Sequence, residues 1–183
     1  MVSLVFGEGS MRKVLFIFGE LSDKDVDWMM ATGQRERILP GAVLIQEGKP
    51  VEALYIVLEG LLRVSVESAG SRELARLGSG EIIGEMSFVD AHPPSATVKA
   101  LENSTVLAIP RSQLAARLER EAGFAARFYR ALAIFLSSRL REMDKEQSAA
   151  AHDDADELDP NVLDMVHLAG SRFDRMLKRL MTG

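Results

Sequence analysis

Residues 77–100 have the sequence LGSGEIIGEMSFVDAHPPSATVKA, and the arrangement of the whole chain can be inferred from them. Two glycines allow a tight turn, and the apolar residues 82–83 lead into residues 84–88, for which we expect one short helical turn. Free amides at a helix start suit a phosphate, and Gly84 has no Cβ to keep the phosphate away. Glu85 beside it can accept a bond from a sugar hydroxyl. The sequence therefore predicts a small anion cradle.

Two motifs in this stretch, GEMS at 84–87 and PPSATVKA at 93–100, resemble in sequence and spacing the phosphate-binding cassette of the cyclic-nucleotide-binding domain family. The resemblance extends over about residues 11–145. It implies an α+β fold, in which an antiparallel β-roll (a double-stranded β-helix, similar to a jelly roll) is flanked by N-terminal helices and a long C-terminal helix. It also implies a set of ligand-binding residues, which are Gly84, Glu85, Met86, Ser87, Pro94, Ser95, Ala96 and, on the long helix, Arg139.

Specific roles follow from the resemblance. It implies that the amides of Glu85 and Met86, with the amide and hydroxyl of Ser95, hold a cyclic phosphate, while the Glu85 carboxylate accepts a ribose hydroxyl. By rough alignment, Arg139 and Leu140 fall where some family members touch the base. The residue pattern alone favours a solvent-exposed Arg139, so both readings stay open.

Pro94 departs from the family's pattern. Members that bind cyclic nucleotides usually carry an arginine at this position, which pairs with the cyclic phosphate. A charge-assisted hydrogen bond contributes about 1.5–3 kcal/mol, so its loss predicts an affinity about ten- to a hundredfold lower unless another donor substitutes. The candidate substitutes are Arg72 and Arg76, on one face of their strand, and His92 near the cassette.

Composition narrows the class of protein. The 183 residues are 47% hydrophobic, enough for one domain with a core and an appendage, and they contain no cysteine. The net charge is −5, and residues 142–159 hold eight acids against one lysine, so we expect an acidic linker at 147–159 and no basic nucleic-acid footprint. The start of the chain lacks the features of a signal peptide, and no apolar run is long enough to span a bilayer. We expect a cytoplasmic protein.

The first part of the chain predicts two helices followed by strands. Residues 14–18 form an apolar helix, and Ser22 caps a second helix that reaches about Thr32 and ends at Gly33. Trp28 is expected to pack rather than to contact ligand. From about 36 to 110 the pattern changes to short β segments separated by turn residues. The clearest strands are at 43–45, 54–58, 61–66, 74–77 and 105–109.

The last part of the chain is helical. A long amphipathic helix is expected at about 122–146, completing a binding domain over 11–146. In the resembled family this helix moves over bound nucleotide and often pairs with its twin, which implies a homodimer. A second amphipathic helix is expected at 160–181, docked on the domain or dimer; membrane-surface binding is a weaker alternative. A winged helix-turn-helix needs about 60–80 residues, and 37 remain after Glu146, so no DNA-binding domain is expected.

The patterns that would indicate catalysis are missing from the sequence. The three histidines are scattered without metal-site spacing, and we find no phosphate loop, nucleophile elbow or paired carboxylates. We expect neither an enzyme nor a resident cofactor or metal.

Three hypotheses remain. The first is a stand-alone regulatory sensor of cyclic AMP or cyclic GMP, which acts through movement of the long helix and an unidentified protein partner. The second is a degenerate domain that serves as a ligand-independent dimerisation or protein-interaction module, with Ile82, Ile83, Met86 and Phe88 as core residues. The third is binding of a different anionic ligand.

Overall fold

The computed structural model describes residues 13–90, 92–148 and 160–181 of the chain. Its helices are α1 (Lys13–Glu20), α2 (Asp23–Thr32), α3 (Arg111–Arg120), α4 (Ala122–Ser148) and α5 (Pro160–Met181). Its strands are β1 (Gln34–Ile38), β2 (Val43–Ile45), β3 (Ala53–Glu59), β4 (Leu62–Val66), β5 (Arg72–Leu77), β6 (Ile82–Ile83), β7 (Thr97–Ala100) and β8 (Ser104–Pro110).

The eight strands form the predicted β-roll, which confirms the fold class. One sheet has the order β1-β8-β3-β6 and the other β2-β7-β4-β5, and all pairs are antiparallel. The central strand β3 is buried from Ala53 to Leu58. Both of its faces are therefore covered, one by the interior of the roll and the other by the helices. All five clearest predicted strands are present, with β1, β6 and β7 in addition.

The helices α1 to α4 pack on one side of the roll around a second apolar core. This core includes Phe18, Met29, Leu107, Phe124 and Phe128, each at most 1% exposed. Burying side chains of this size contributes about 1.5–3 kcal/mol each relative to leaving them in water. The helices are therefore part of the domain rather than additions to it.

Ser22 begins α2 as predicted, with a reciprocal cap. The Asp25 amide donates to Ser22 Oγ at 3.3 Å, and the Ser22 amide donates to Asp25 Oδ2 at 2.9 Å. Both bonds satisfy amides that a helix start leaves free. Gly33 ends the helix, and its amide donates to the Met29 carbonyl at 2.9 Å.

Asp25 also holds two arginines from the helices that follow the roll in sequence. Arg117 on α3 donates to Oδ1 at 2.8 Å, and Arg127 on α4 donates to Oδ2 at 2.9 Å. Burial of the carboxylate opposes its ionisation, but the bonds from Ser22 and Arg127 dominate, and the pKa of Asp25 is lowered. The ionised carboxylate thus fixes α2 against both helices that follow the roll.

The last helix, α5, docks on α1 and α2. Its residues Ala169, Phe173 and Met176 are at most 3% exposed and belong to the helical core. Arg172 donates to the Phe18 carbonyl and to Asp23, whose pKa this bond lowers. Residues 149–159, which include most of the expected acidic linker, lie outside the described residues. No helix within the described ranges is both long and apolar enough to cross a membrane.

Candidate ligand site

A cavity of about 760 Å³ opens between the inner surface of the roll, residues 84–96 and the helix α4. Its size lies within the range of small-molecule pockets, about 300–1,000 Å³. Seven of the eight residues assigned to the site from the sequence line this cavity: Gly84, Glu85, Met86, Ser87, Pro94, Ser95 and Ala96. The eighth, Arg139, lies on α4, but its side chain is outside the described part of the structure.

Gly84 starts the short turn at Glu85–Phe88 that the sequence predicts. Its φ of +89° lies in the left-handed region, which disfavours a side chain. A Cβ at this position would lie 2.8 Å from the Ala53 carbonyl oxygen of β3. Ser87 Oγ donates to the Gly84 carbonyl at 2.7 Å and so closes the turn. The fold itself therefore requires glycine here, in addition to any need for a ligand to approach.

The two residues after Gly84 differ in burial. Glu85 is 5% exposed, whereas Met86 is 44% exposed and lines the cavity. Ile82 and Ile83 are buried, and Phe88 is half-buried with its ring edge-to-face on Phe128 at 6.2 Å. The interaction-module hypothesis expected Met86 in the core, and this is wrong, because the 3-10 turn directs the side chain to the cavity and solvent.

Backbone and side-chain hydrogen bonds hold residues 93–100, the second of the two cassette motifs, in place. The Gly48 amide donates to the Pro94 carbonyl at 2.9 Å, and the Glu47 amide donates to Thr97 Oγ1 at 3.1 Å. The Glu47 carboxylate accepts from Ser68, and this bond lowers its pKa. Neither bond to this segment involves the Pro94 side chain, and Ser95 is exposed at the cavity.

Arg76 lines the cavity, but its guanidinium lies on the outer face of the roll. In the β4–β5 ladder Arg76 is opposite Arg63, while the neighbouring Leu77 is opposite Leu62. Leu62 and Leu77 belong to the interior core, and side chains alternate along a strand, so Arg76 points outward. Its Nε donates to Glu73 at 2.8 Å, with the arginine side chain 62% exposed.

Arg72 and His92 are the two other candidate partners for a phosphate, and both are exposed to solvent. Arg72 is exposed and lies outside the cavity lining, and His92 lines the cavity with a side chain that is 86% exposed. The His92 Nδ1 atom is 3.4 Å from an Asp90 carboxylate oxygen. Among these candidates, none places a buried cation inside the cavity.

The apolar walls of the cavity come from both sheets and from α4. Phe135 and Leu136 of α4 line the cavity; the sequence pattern placed one or the other on the apolar face of the long helix, but it gave no sign that they close a cavity. The missing information was the direction in which α4 crosses the roll. The remaining apolar lining residues are Ile45, Val51, Val64, Leu74, Ala75, Leu77, Ile83 and Val98.

The cavity is suited to binding a small molecule with an apolar body. Beside the backbone of residues 84–96, its polar lining residues include Glu81, Glu85, Asp90 and His92. Within the described ranges there is no group of three or more histidine or acidic side chains that could hold a metal ion.

Comparison with known proteins gives consistent matches. Residues 35–121 match the family described as the cyclic nucleotide-binding domain. The chain is 33% identical over 141 residues to the cyclic AMP receptor protein of Thermus thermophilus, which covers 76% of this chain and 63% of that protein. This chain therefore spans less than two thirds of that relative's length.

Solved structures show the same likeness. The N-terminal domain of a transcriptional regulator from Streptomyces coelicolor has a TM-score of 0.58 and 31% identity, covering 78% of this chain and 99% of that chain. The regulatory domain of PKA from Toxoplasma gondii, determined with cAMP, has a TM-score of 0.52 and 29% identity, covering 57% of this chain and 41% of that chain.

Proposed function

Because this chain belongs to the cyclic nucleotide-binding domain family, we propose that it is a regulatory sensor that binds cyclic AMP or cyclic GMP in the cavity beside residues 84–96. The observation that carries this proposal is that seven residues of the sequence-derived site line one cavity of about 760 Å³. Fold alone would not justify a function, since one fold hosts many. The proposal therefore rests on the site.

The cassette would hold the cyclic phosphate through neutral donors. The amides of Glu85 and Met86 and the amide and hydroxyl of Ser95 are the donors that this proposal assigns to the phosphate oxygens. The Glu85 carboxylate would accept a ribose hydroxyl, and the base would contact the apolar walls, including Phe135. Without an arginine at position 94, the phosphate gains fewer charge-assisted bonds, so we expect weaker affinity than for a site that has one.

The response to ligand would be a shift in the position of α4. Phe135 and Leu136 lie on this helix and line the cavity, so ligand that contacts them favours the closed position over an open one. The size of the shift is limited by the difference in ligand affinity between the two positions. The output would pass to a second copy of the chain through α4, or to a protein partner.

The first experiment is a calorimetric titration of the purified protein with cyclic AMP and with cyclic GMP. We expect saturable binding of at least one nucleotide with one site per chain. Light scattering with and without nucleotide then tests the homodimer against the monomer mass of 20.1 kDa. No heat with either nucleotide, together with unchanged amide exchange at residues 84–96, would reject the sensor.

The second candidate function is a ligand-independent interaction module. The observation that favours it is Pro94, because the candidate replacements Arg72 and Arg76 provide no guanidinium inside the cavity. It predicts that partner binding is insensitive to cyclic nucleotides. The titration above separates the two candidates.

A further inference from the structure

The helix α1 is attached at its N-terminal end to the turn that leads into the cavity. The Val14 amide donates to the Gly80 carbonyl at 3.0 Å, and the Gly80 amide donates to the Val57 carbonyl of β3 at 2.9 Å. The next residue, Glu81, lines the cavity. A displacement of α1 would therefore disturb this turn.

The middle of α1 touches a wall of the cavity. The Phe16 ring lies edge-to-face against Phe135 of α4, with ring centroids 5.7 Å apart. Phe16 is 7% exposed and Phe135 is 6% exposed, so both rings are buried where they meet. Phe135 also lines the cavity, which makes Phe16 a residue that positions this wall from behind.

The C-terminal part of α1 holds α5. The Phe18 ring lies edge-to-face against Phe173 of α5 at 6.3 Å, and the Phe18 carbonyl accepts a bond from Arg172 Nη1 at 2.6 Å. Arg172 Nε donates at 2.7 Å to Asp23, the first residue of α2. A single eight-residue helix thus contacts the cavity wall on one side and the docked α5 on the other.

We propose that α1 couples the ligand cavity to the docking of α5. The position of Phe135 then depends on whether α5 is docked, and the docking of α5 depends on how the cavity is filled. Coupling between binding equilibria is reciprocal, so each event shifts the other by the same factor, typically about 5- to 150-fold. The effect of α5 docking on ligand binding, which we call the ligand end, rests on the proposed function. The effect of the cavity wall on α5 docking, which we call the helix end, does not require a ligand.

The helix end is tested by amide hydrogen exchange in the full chain without nucleotide. Phe135→Leu removes the ring that Phe16 contacts, and we expect exchange in residues 166–181 to accelerate fivefold or more. Tyr129→Leu is the matched control, since Tyr129 lies on the same helix, is exposed and is outside the cavity lining. Exchange in β8 reports global unfolding, so only an acceleration in residues 166–181 that exceeds the acceleration in β8 of the same protein counts as coupling. Equal exchange of α5 in wild type and Phe135→Leu would overturn the proposal, whether or not a nucleotide binds.

The ligand end is tested by the reverse change. Arg172→Gln, and the milder Asp23→Asn, loosen α5 without touching the cavity, and we expect each to weaken nucleotide binding about fivefold or more. Arg179→Gln removes the same charge from an exposed position of the same helix and should leave the affinity unchanged. If the wild type binds nucleotide and all four proteins bind equally, the coupling is overturned while the sensor function stands. If the wild type binds neither nucleotide, the sensor function fails, and the Phe135→Leu exchange result still decides the coupling.

Discussion

Arg117 Nη2 lies 2.8 Å from Asp25 Oδ1, and both side chains are buried. The guanidinium carbon lies over two aromatic rings that contact each other edge-to-face, 4.5 Å from the Trp28 centroid and 4.1 Å from the Phe124 centroid. Its Nη1 forms no hydrogen bond within the described part of the chain, and the ring faces offer partial compensation. This cluster joins α2, α3 and α4 at the point where the chain leaves the roll.

The contribution of this cluster to the stability of the fold should depend strongly on the Asp25 carboxylate. Asp25→Ala leaves the buried Arg117 cation with only the half-exposed Glu121 carboxylate beside it in the described part of the chain, removes an acceptor from Arg127 and breaks the reciprocal cap with Ser22. We expect the free energy of unfolding to fall by about 3–5 kcal/mol, as for other broken buried pairs. Urea unfolding measures it, and Asp27→Ala, on the exposed side of the same helix, should change stability by less than about 1 kcal/mol. Equal losses in the two variants would contradict this role.

The same carboxylate should make stability depend on pH in acid. The pKa of Asp25 is lower in the folded protein than its ordinary value, so ionisation favours folding. This contribution is complete above the unfolded pKa, about 3.9, and is lost as pH falls through the lowered folded pKa. We expect the unfolding free energy of wild type to decrease below about pH 4 more steeply than that of Asp25→Asn. Parallel curves for the two proteins would show that Asp25 does not contribute.

Gly84 provides a test of the cassette backbone. Alanine at position 84 must adopt a left-handed φ of +89° and place its Cβ 2.8 Å from the Ala53 oxygen. Gly70 has a similar φ of +72°, with open space around the corresponding position, so Gly70→Ala measures the backbone cost alone, about 1–2 kcal/mol. We expect Gly84→Ala to lose about 2 kcal/mol more than this control in urea unfolding. A loss no larger than the control's would mean that the turn can move away from β3.

Local signals in the sequence were enough to predict much of this fold. Ser22 was identifiable as a cap because its partner Asp25 is three residues away, and the bond between them is local. The strands β3 and β8 have apolar runs that are buried on both sides. The order of helices and strands, and the cavity residues within 84–96, could therefore be predicted from pattern and resemblance.

Other features depend on contacts between distant parts of the chain. The strand β1 has the sequence QRERI and is mostly exposed, so no apolar alternation marks it; its pairing with β8 makes it a strand. Asp25 also pairs with Arg117 and Arg127, which are 92 and 102 residues away in the sequence. The alternation rule placed Arg72 and Arg76 on one face, but only the register with β4 shows that the face of Arg76 is the outer one. Long-range geometry of this kind has no local signature.

The most direct prediction for the site concerns position 94. Pro94→Arg supplies the guanidinium that the cassette lacks, and we expect the affinity for cyclic AMP or cyclic GMP to rise about ten- to a hundredfold in calorimetric titration. The bond from the Gly48 amide to the carbonyl of residue 94 does not involve the side chain, so the loop should keep its position. Pro93→Arg adds the same charge one residue earlier in the cavity lining and is the control for non-specific attraction. An equal gain in both variants would indicate general electrostatic attraction, whereas no gain in either would mean that residues 93–96 do not face the phosphate.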